Sequence, residues 1–228
     1  MDVQPFKIQV PEETLADLKE RLAQTRWPDE LPGTGWDYGT NMAYLKELVD
    51  YWQNSFDWRA QEEAINRFSH FKADVDGLGI HFIHQKGVGP DPMPLVLTHG
   101  WPGSVVEFHK VIEPLADPTA HGGNAEDAFH VVVPSLPGFG FSEMPKERGW
   151  NQRRISEVIA KLMARLQYDQ YGAQGGDWGA GIVRWLAAND GAHCIGSHSN
   201  FPPSSAPRSD VMRGVSEVEI ERFRRRRC

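Results

Sequence analysis

The stretch Gln174-Gly175-Gly176-Asp177-Trp178-Gly179-Ala180-Gly181 decides how the rest of the chain is organised. It predicts a strand that ends in a tight turn at an acidic residue and continues at once into a helix. Such a turn reverses the backbone through one strained residue, so the positions two before and two after it come into contact and a Cβ there would clash. Small residues at these positions, with a nucleophile between them, are typical of a nucleophile elbow. Asp177 stands where a lipase or a peptidase would carry serine.

Asp177 is therefore the candidate catalytic residue of the chain. The following helix places the positive end of its dipole behind this carboxylate, which favours the ionised form that a nucleophile needs. An ordinary helix N-cap is the alternative interpretation, since aspartate fills that role well. The stretch alone does not decide between the two.

The composition bounds the class of protein. The 228 residues can bury roughly 70% of their unfolded surface, which is enough for one α/β domain with attachments. A net charge of −7 argues against a nucleic-acid partner. No run approaches the roughly 18 apolar residues of a membrane span, and the first residues do not form a signal peptide or anchor. Cys194 and Cys228 make no disulfide framework and Cys194 lies in an apolar run, so we expect a buried thiol and a reducing, cytoplasmic location.

The amino-terminal residues 1–66 predict a helical arm. One helix begins at Pro11 and is stopped by Trp27-Pro28, a second covers residues 41–56, and a third covers residues 58–66. Apolar residues recur at helical spacing in the first two, and we call them the arm stripe: Leu15, Leu18, Leu22, Met42, Leu45, Leu48, Val49, Trp52 and Phe56. We expect the aromatic residues of the arm to pack against the domain that follows.

The hydrophobic period changes to that of strands at Phe68, and Asp76-Gly77 predicts a two-residue hairpin turn. Buried strands are then predicted at residues 95–98, 130–134, 171–175 and 194–198, with helices at 104–112, 153–166 and 181–188. This alternation predicts an α/β fold with a doubly wound, mostly parallel sheet. Three histidines fall on the hairpin strands: His70, His81 and His84. No carboxylate or cysteine cluster around them supports a metal site.

A second motif, His99-Gly100-Trp101-Pro102-Gly103-Ser104, follows the first buried parallel strand. Glycines and a proline at this position leave backbone N–H groups unpaired at the edge of the sheet where the elbow also lies. We therefore expect an oxyanion hole, with the N–H groups of Trp101 and Trp178 as donors. A plain strand-to-helix turn is the alternative interpretation of His99-Gly100.

The tail predicts one more helix, which starts at the capping box Ser216-Glu217-Val218-Glu219 and runs towards four arginines at 224–227. The arginines are interpreted as a solvated helix face, with a nuclear signal or an anionic partner as the alternative.

Four stretches together resemble the microsomal-type epoxide hydrolases, whose α/β-hydrolase core follows an epoxide hydrolase amino-terminal domain. They are Trp27-Pro28, the motif at residues 99–104, Leu136-Pro137-Gly138-Phe139-Gly140-Phe141-Ser142, and Gly175-Gly176-Asp177-Trp178-Gly179. The resemblance runs in order from about Pro5 to Ala206. A soluble-type epoxide hydrolase or a haloalkane dehalogenase would share the aspartate elbow but lack the arm.

The resemblance implies that Asp177 attacks an epoxide carbon and forms an alkyl-enzyme ester, which is hydrolysed to a vicinal diol in a detoxifying reaction on small hydrophobic epoxides. Trp101 and Trp178 would hold the oxyanion, and His99 would be part of the loop and not the catalytic base. The remaining motif residues would shape the site: Gly100, Pro102, Gly175, Gly176 and Gly179. The resemblance implies no cofactor and no metal.

The chain also departs from this family. Members continue with a helical lid that supplies a tyrosine pair, and then with strands that carry an acidic residue and a catalytic histidine. Here no histidine follows His198, no tyrosine lies in a lid position, and residues 199–228 only start the lid region, so residues 67–198 would be a partial core. The strand at 194–198 would then be an open edge of the sheet, through which the chain would self-associate.

Three interpretations of the function remain at this stage. The first is an epoxide hydrolase present as its amino-terminal portion, with turnover by this chain in doubt. The second is a non-catalytic remnant of the fold that binds a hydrophobic ligand or partner. The third is a hydrolase of the dehalogenase type that uses the same aspartate.

Overall fold

Seven strands of the described residues form one mixed sheet, and the computed structural model of the chain describes residues 3–201 and 216–218. In chain order the strands are β1 (Gln4–Phe6), β2 (His70–Val75), β3 (Leu78–Gln85), β4 (Met93–Thr98), β5 (Phe129–Pro134), β6 (Tyr171–Gly175) and β7 (Cys194–Ser199). Across the sheet they lie in the order β1-β2-β3-β5-β4-β6-β7. The last four are parallel, and β1, β2 and β3 join them antiparallel. The predicted α/β class is confirmed.

Helices cover both faces of the central strands. The described helices are α1 (Glu12–Ala23), α2 (Met42–Asn54), α3 (Trp58–Asn66), α4 (Ile112–Ala116), α5 (Gln152–Arg165) and α6 (Trp178–Asn189). Of these, α4 packs on one face of the central strands, and α5 and α6 pack on the other. Side chains along β5 alternate between the faces, as the pleat of a strand requires. Val132 joins the apolar cluster beneath α5 and α6, whereas Val131 and Val133 join the cluster beneath α4. Asp177 and the loop after β4 therefore stand on a sheet that is packed from both sides.

The predicted hairpin is confirmed between β2 and β3. Asp76 and Gly77 have φ angles of 56° and 79°, which are the positive values that a tight two-residue turn of this kind needs at both central positions. The thiol of Cys194 is buried at the start of β7, also as expected.

Two helix bounds were predicted wrongly. The helix expected at 104–112 is a 3₁₀ turn at Val105–Phe108 followed by α4, because Pro114 has no N–H and its ring would clash with the preceding turn of a continuous helix. The first helix does not run to Trp27 but ends at Ala23. There the Thr25 hydroxyl donates to the carbonyl of Leu22 at 2.7 Å and satisfies one of the free carbonyls of the helix end.

The packing expected of the aromatic residues of the arm is also wrong for α2. Neither α1 nor α2 contains a buried residue, and Leu48 and Trp52 are 46% and 45% exposed. Their apolar sides instead face an open groove of about 890 Å³ that is lined by α1, α2 and the start of α3. Helical periodicity identifies which side of a helix is apolar, but it does not identify what covers that side.

The arm is attached to the sheet through a few specific contacts near its two ends. Ile8 is 1% exposed, its N–H donates to Asn66 Oδ1 at 2.9 Å, and its carbonyl accepts from Asn66 Nδ2 at 2.8 Å. Glu62 accepts from the Val10 N–H at 2.7 Å, and Ile65 on the same helix is 6% exposed. The segment after β1 and the helix α3 are therefore the anchored parts of the arm.

A chain of hydrogen bonds between buried histidines links the arm, the hairpin and the loop after β5. His70 Nδ1 lies 2.9 Å from His81 Nε2, His81 Nδ1 lies 2.8 Å from Ser135 Oγ, and His70 Nε2 lies 2.9 Å from the carbonyl of Ile65. A carbonyl can only accept, so His70 carries its proton on Nε2 and its Nδ1 is an acceptor. Nε2 of His81 therefore donates to Nδ1 of His70, and the Ser135 hydroxyl donates to Nδ1 of His81. Burial lowers the pKa of His81 to about 3, assisted by repulsion from His70 and Lys72. We call this set the histidine chain.

Residues 3–201 and 216–218 contain no helix long and apolar enough to cross a membrane. The same part of the chain holds no group of three or more potential metal ligands among its histidine, cysteine, aspartate and glutamate side chains. Glu217 and Val218, which lie within the predicted capping box, are helical. The rest of the predicted tail helix, the arginines at 224–227 and Cys228 lie outside the described residues.

Candidate active site

Asp177 joins β6 to α6 at the carboxyl end of the parallel strands. Its φ and ψ angles are 49° and −121°, and it is one of three described residues other than glycine with a positive φ. This conformation is unfavourable for a side chain with a Cβ and persists only where the surrounding structure holds it. The side chain is exposed, so the turn presents a carboxylate to solvent on a rigid support.

Close backbone contacts explain the glycines on either side of Asp177. A Cβ on Gly175 would lie 2.3 Å from the carbonyl oxygen of Gly179, and a Cβ on Gly179 would lie 2.1 Å from the carbonyl oxygen of Thr98. Backbone atoms cannot move away as a flexible side chain can. The predicted contact between the positions two before and two after the turn is confirmed.

The carboxylate does not serve as a helix cap, although Asp177 occupies the N-cap position of α6. Its side chain makes no capping hydrogen bond, and the Ala180 N–H is bonded by the backbone carbonyls of Gly176 and Asp177. Oδ1 of Asp177 instead accepts from the Trp101 N–H at 2.9 Å. The N-cap interpretation is therefore wrong.

Backbone amides also set the charge of this carboxyl group. The Trp101 N–H, followed by the Trp178 N–H, lowers the pKa of Asp177 below its usual value, against a smaller opposing effect of desolvation. A hydrogen bond to the charged form stabilises that form. Asp177 is ionised at neutral pH, and one of its oxygens is bonded by the loop after β4.

Gly100 and Pro102 shape the loop that carries the Trp101 amide. A Cβ on Gly100 would lie 2.6 Å from both the Cβ and Oδ1 of Asp177, so only glycine leaves room for the nucleophile candidate. The Trp101–Pro102 peptide bond is cis, and the Gly103 N–H donates to the Gly100 carbonyl at 3.0 Å. The loop thus makes direct contact with Asp177 and is more than a plain strand-to-helix turn.

His99 is buried and fully bonded within the loops. Its Nδ1 donates to the Gly100 carbonyl at 2.9 Å, and its Nε2 accepts from the Leu136 N–H at 3.1 Å. Burial lowers the pKa of His99, against the effects of the Gly100 carbonyl and of Glu107. Its ring also packs edge to face on Phe139. A neutral histidine in this arrangement joins the loop after β4 to the loop after β5.

Sequence reasoning missed two residues of the site. Thr98 is fully buried, and its hydroxyl lies 3.0 Å from the Gln174 carbonyl and 3.3 Å from the Gly179 carbonyl, so it ties β4 to both sides of the elbow. Asn200 follows β7 and lies against Gly176. The available signal was a polar residue at the carboxyl end of a predicted strand, which in a parallel sheet lies at the same edge as the elbow.

The remaining candidates lie away from Asp177. The tyrosines of the arm are exposed. Tyr171 is the first residue of β6, at the end of the strand away from Asp177, and its hydroxyl donates to Asp190. Tyr168 pairs with His84 at 2.8 Å. His198 pairs in register with Gln174 on β7 and is exposed. Among the described residues, no histidine bonds Asp177.

Comparisons with known proteins agree with this geometry. The model of the epoxide hydrolase N terminus matches residues 3–108, and the model of the alpha/beta hydrolase fold matches residues 93–213. A provisionally named epoxide hydrolase of Stigmatella aurantiaca (strain DW4/3-1) is 51% identical over 212 residues, which are 92% of this chain and 48% of that protein. Epoxide hydrolase 1 of Oryctolagus cuniculus is 41% identical, over 87% of this chain and 45% of its own length.

The solved structure of Aspergillus niger epoxide hydrolase superposes with a TM-score of 0.84 at 31% identity, covering 99% of this chain and 59% of the other. The chain spans about half the length of the curated relatives it matches. Fold, sequence and elbow agree on one assignment. The chain belongs to the epoxide hydrolases of the α/β-hydrolase fold, with an epoxide hydrolase N-terminal region ahead of the hydrolase sheet.

Proposed function

We propose that this chain carries the nucleophilic half of an epoxide hydrolase and that Asp177 is its nucleophile. The observation that supports this most directly is the ionised Asp177 carboxylate at a strained turn, with Oδ1 bonded to the Trp101 N–H. A carboxylate with one oxygen held in this way has its second oxygen free to attack. The substrate class is a small hydrophobic epoxide.

In the first step, an oxygen of Asp177 forms a bond to an epoxide carbon while the bond from that carbon to the ring oxygen breaks. The ring oxygen takes a proton from water, which leaves hydroxide in the solvent, and becomes the hydroxyl of a hydroxyalkyl ester. In the second step, water adds to the ester carbonyl carbon, and the negative charge that develops on the carbonyl oxygen is stabilised by the N–H groups of Trp101 and Trp178. Collapse of this intermediate releases a vicinal diol and restores the carboxylate.

The second step needs a base that activates water, and the described residues bring no histidine into contact with Asp177. We therefore propose that in this chain the ester forms faster than it is hydrolysed and so accumulates. Turnover of many equivalents of epoxide by the purified chain would contradict this proposal, although it would support the role of Asp177.

The test is mass spectrometry of the intact chain and its peptides after incubation with excess small aryl epoxide, with Asp177→Asn as the control. A stable adduct on Asp177 that the control lacks is the expected result. No adduct in protein shown to be folded by circular dichroism would favour the non-catalytic remnant. Halide release from alkyl halides would favour the dehalogenase interpretation.

The domain organisation belongs to the same proposal: a helical arm at 1–66, a partial hydrolase core at 67–198 and the start of a lid region at 199–228. The anchoring contacts of Ile8 and Ile65 support a boundary near the end of α3. A cytoplasmic location is also proposed, since Cys194 is a free thiol.

Self-association through β7 is a further part of the proposal. In the described sheet β7 is the edge strand, and its residues from Ile195 to His198 are exposed. It carries no charged residue and no proline, which are the usual means of protecting an edge strand from pairing. Light scattering at micromolar concentration should detect association, and Ile195→Lys should reduce it. A monodisperse monomer in the unaltered chain would overturn this part.

A further inference from the structure

Asn200 lies on the side of the elbow that the loop after β4 does not reach. In the sheet, β6 lies between β4 and β7, so the Trp101 amide reaches Asp177 from one side and the end of β7 faces it from the other. Gly175 and Ser199 are register partners. The next residue of each strand is therefore Gly176, directly before Asp177, and Asn200.

The Asn200 carboxamide lies against the α-carbon of Gly176. A Cβ on Gly176 would be 2.3 Å from Oδ1 of Asn200 and 3.3 Å from its Nδ2. The side chain is exposed, and within the described part of the chain it has no hydrogen-bond partner. A neutral group with two N–H donors thus stands beside Gly176, the residue directly before the nucleophile candidate, with its hydrogen-bonding capacity unused.

We propose that Asn200 is a positioning residue for Asp177: rotation of its exposed carboxamide would bring an N–H of Nδ2 to the carboxylate from the β7 side, opposite the Trp101 N–H. The inference rests on the proposed function, since Asp177 is the residue positioned. The same geometry explains the glycine at 176, because any side chain there would displace the Asn200 carboxamide.

The first measurement is the pKa of the Asp177 carboxyl group, obtained from the ¹³C chemical shift of labelled aspartate as a function of pH. The signal of Asp177 is assigned by its absence in Asp177→Asn. This measurement does not depend on activity. Asn200→Asp places a like charge beside Asp177 and should raise its pKa by at least about half a unit. Ser197→Asp is the matched control, because it adds the same charge on β7 opposite Ala173, further from the elbow. Its effect should be less than half as large.

Removing the donor should have a smaller effect in the same direction. Asn200→Ala and Gly176→Ala should each raise the pKa of Asp177, because the first removes the proposed donor and the second displaces it. The double variant should match either single change. Asn200→Ser replaces Asn200→Ala if the latter fails to fold. Equal shifts in Asn200→Asp and Ser197→Asp, or no shift in Asn200→Asp, would overturn the proposal.

Adduct formation with the aryl epoxide separates this proposal from the proposed function. The alkylation rate of Asn200→Ala should fall by about tenfold or more, as for loss of one hydrogen bond to a charged group. Shifts in the pKa of Asp177 without any adduct in the unaltered chain would support the positioning of Asp177 and contradict its function as a nucleophile. An adduct that forms equally fast in every Asn200 variant would contradict the positioning alone.

Discussion

The Trp101 N–H donates to Oδ1 of Asp177 at 2.9 Å although 76 positions separate the two residues in the chain. The contact exists because β4 and β6 are parallel neighbours whose carboxyl ends meet at one edge of the sheet. Gly100, directly before Trp101, lies against the Asp177 side chain, and the absence of a Cβ there allows the loop to approach so closely.

We expect Gly100→Ala to displace the Asp177 side chain and to lower the rate of alkylation by an aryl epoxide at least about tenfold, since small errors in position are costly in catalysis. The fold should survive, with a loss of about 1–3 kcal/mol as for other overpacked sites. Adduct mass against time gives the rate, and urea unfolding gives the stability.

Gly196→Ala is the matched control for Gly100→Ala, because a Cβ on Gly196 meets nothing within 4 Å. Equal alkylation rates in the two variants would show that the approach of Gly100 to Asp177 has no effect on the chemistry.

The alkylation rate should not depend on the ionisation of Asp177 between pH 5 and 8. The amides of Trp101 and Trp178 lower the pKa of this group. The midpoint of the fall in rate at acid pH should therefore lie below the ordinary aspartate pKa of about 3.9. The measurement is the initial rate of adduct formation at fixed epoxide concentration from pH 3 to 8. A midpoint above pH 5 would mean that these hydrogen bonds are absent in solution.

The histidine chain predicts a loss of stability in mild acid. His81 has a pKa of about 3 in the folded chain and an ordinary value near 6.5 when unfolded, so between these values only the unfolded chain takes up a proton there. The free energy of unfolding is therefore full above about pH 6.5 and falls as the pH drops towards 3, by on the order of 1 kcal/mol per pH unit from His81. Urea unfolding at pH 7, 6 and 5 measures this slope.

His81→Gln should flatten the slope, because glutamine hydrogen-bonds without titrating. His121→Gln at an exposed position is the control for the loss of one histidine. The same slope in both variants would assign the pH dependence to another group.

The arm and its anchor should respond differently to substitution. Leu48 in the open groove is 46% exposed, so Leu48→Ser should cost less than about 0.5 kcal/mol of unfolding free energy. Ile65 lies on the buried side of α3 and is 6% exposed, so Ile65→Ala should cost about 2–4 kcal/mol. Urea titrations of both variants measure the difference, and comparable losses would mean that another surface covers Leu48 in solution.

Much of the architecture was predictable because it depends on local patterns. The Asp76-Gly77 hairpin, the buried parallel strands and the glycines of the elbow each follow from a rule about backbone conformation. The helix after β4 was predicted wrongly for a local reason too, because Pro114 was given too little weight.

Other features depend on contacts between distant parts of the chain. The arm stripe was correctly identified as apolar, but its exposure depends on which surfaces reach it. Thr98 and Asn200 approach the elbow only once β4, β6 and β7 are aligned, so sequence spacing does not reveal them. The bond between Asp177 and Trp101, which excluded the N-cap interpretation, likewise required coordinates.

The two edges of the described sheet are unequal, and this would limit assembly by strand addition. The edge opposite β7 is β1, which has three residues and contains Pro5, so it offers little backbone for pairing. A second copy could add to β7 by pairing β7 with β7 around a twofold axis, and that contact would use the only long edge of each sheet in the described residues. Growth by strand addition would then end at the dimer, with no route to a fibre.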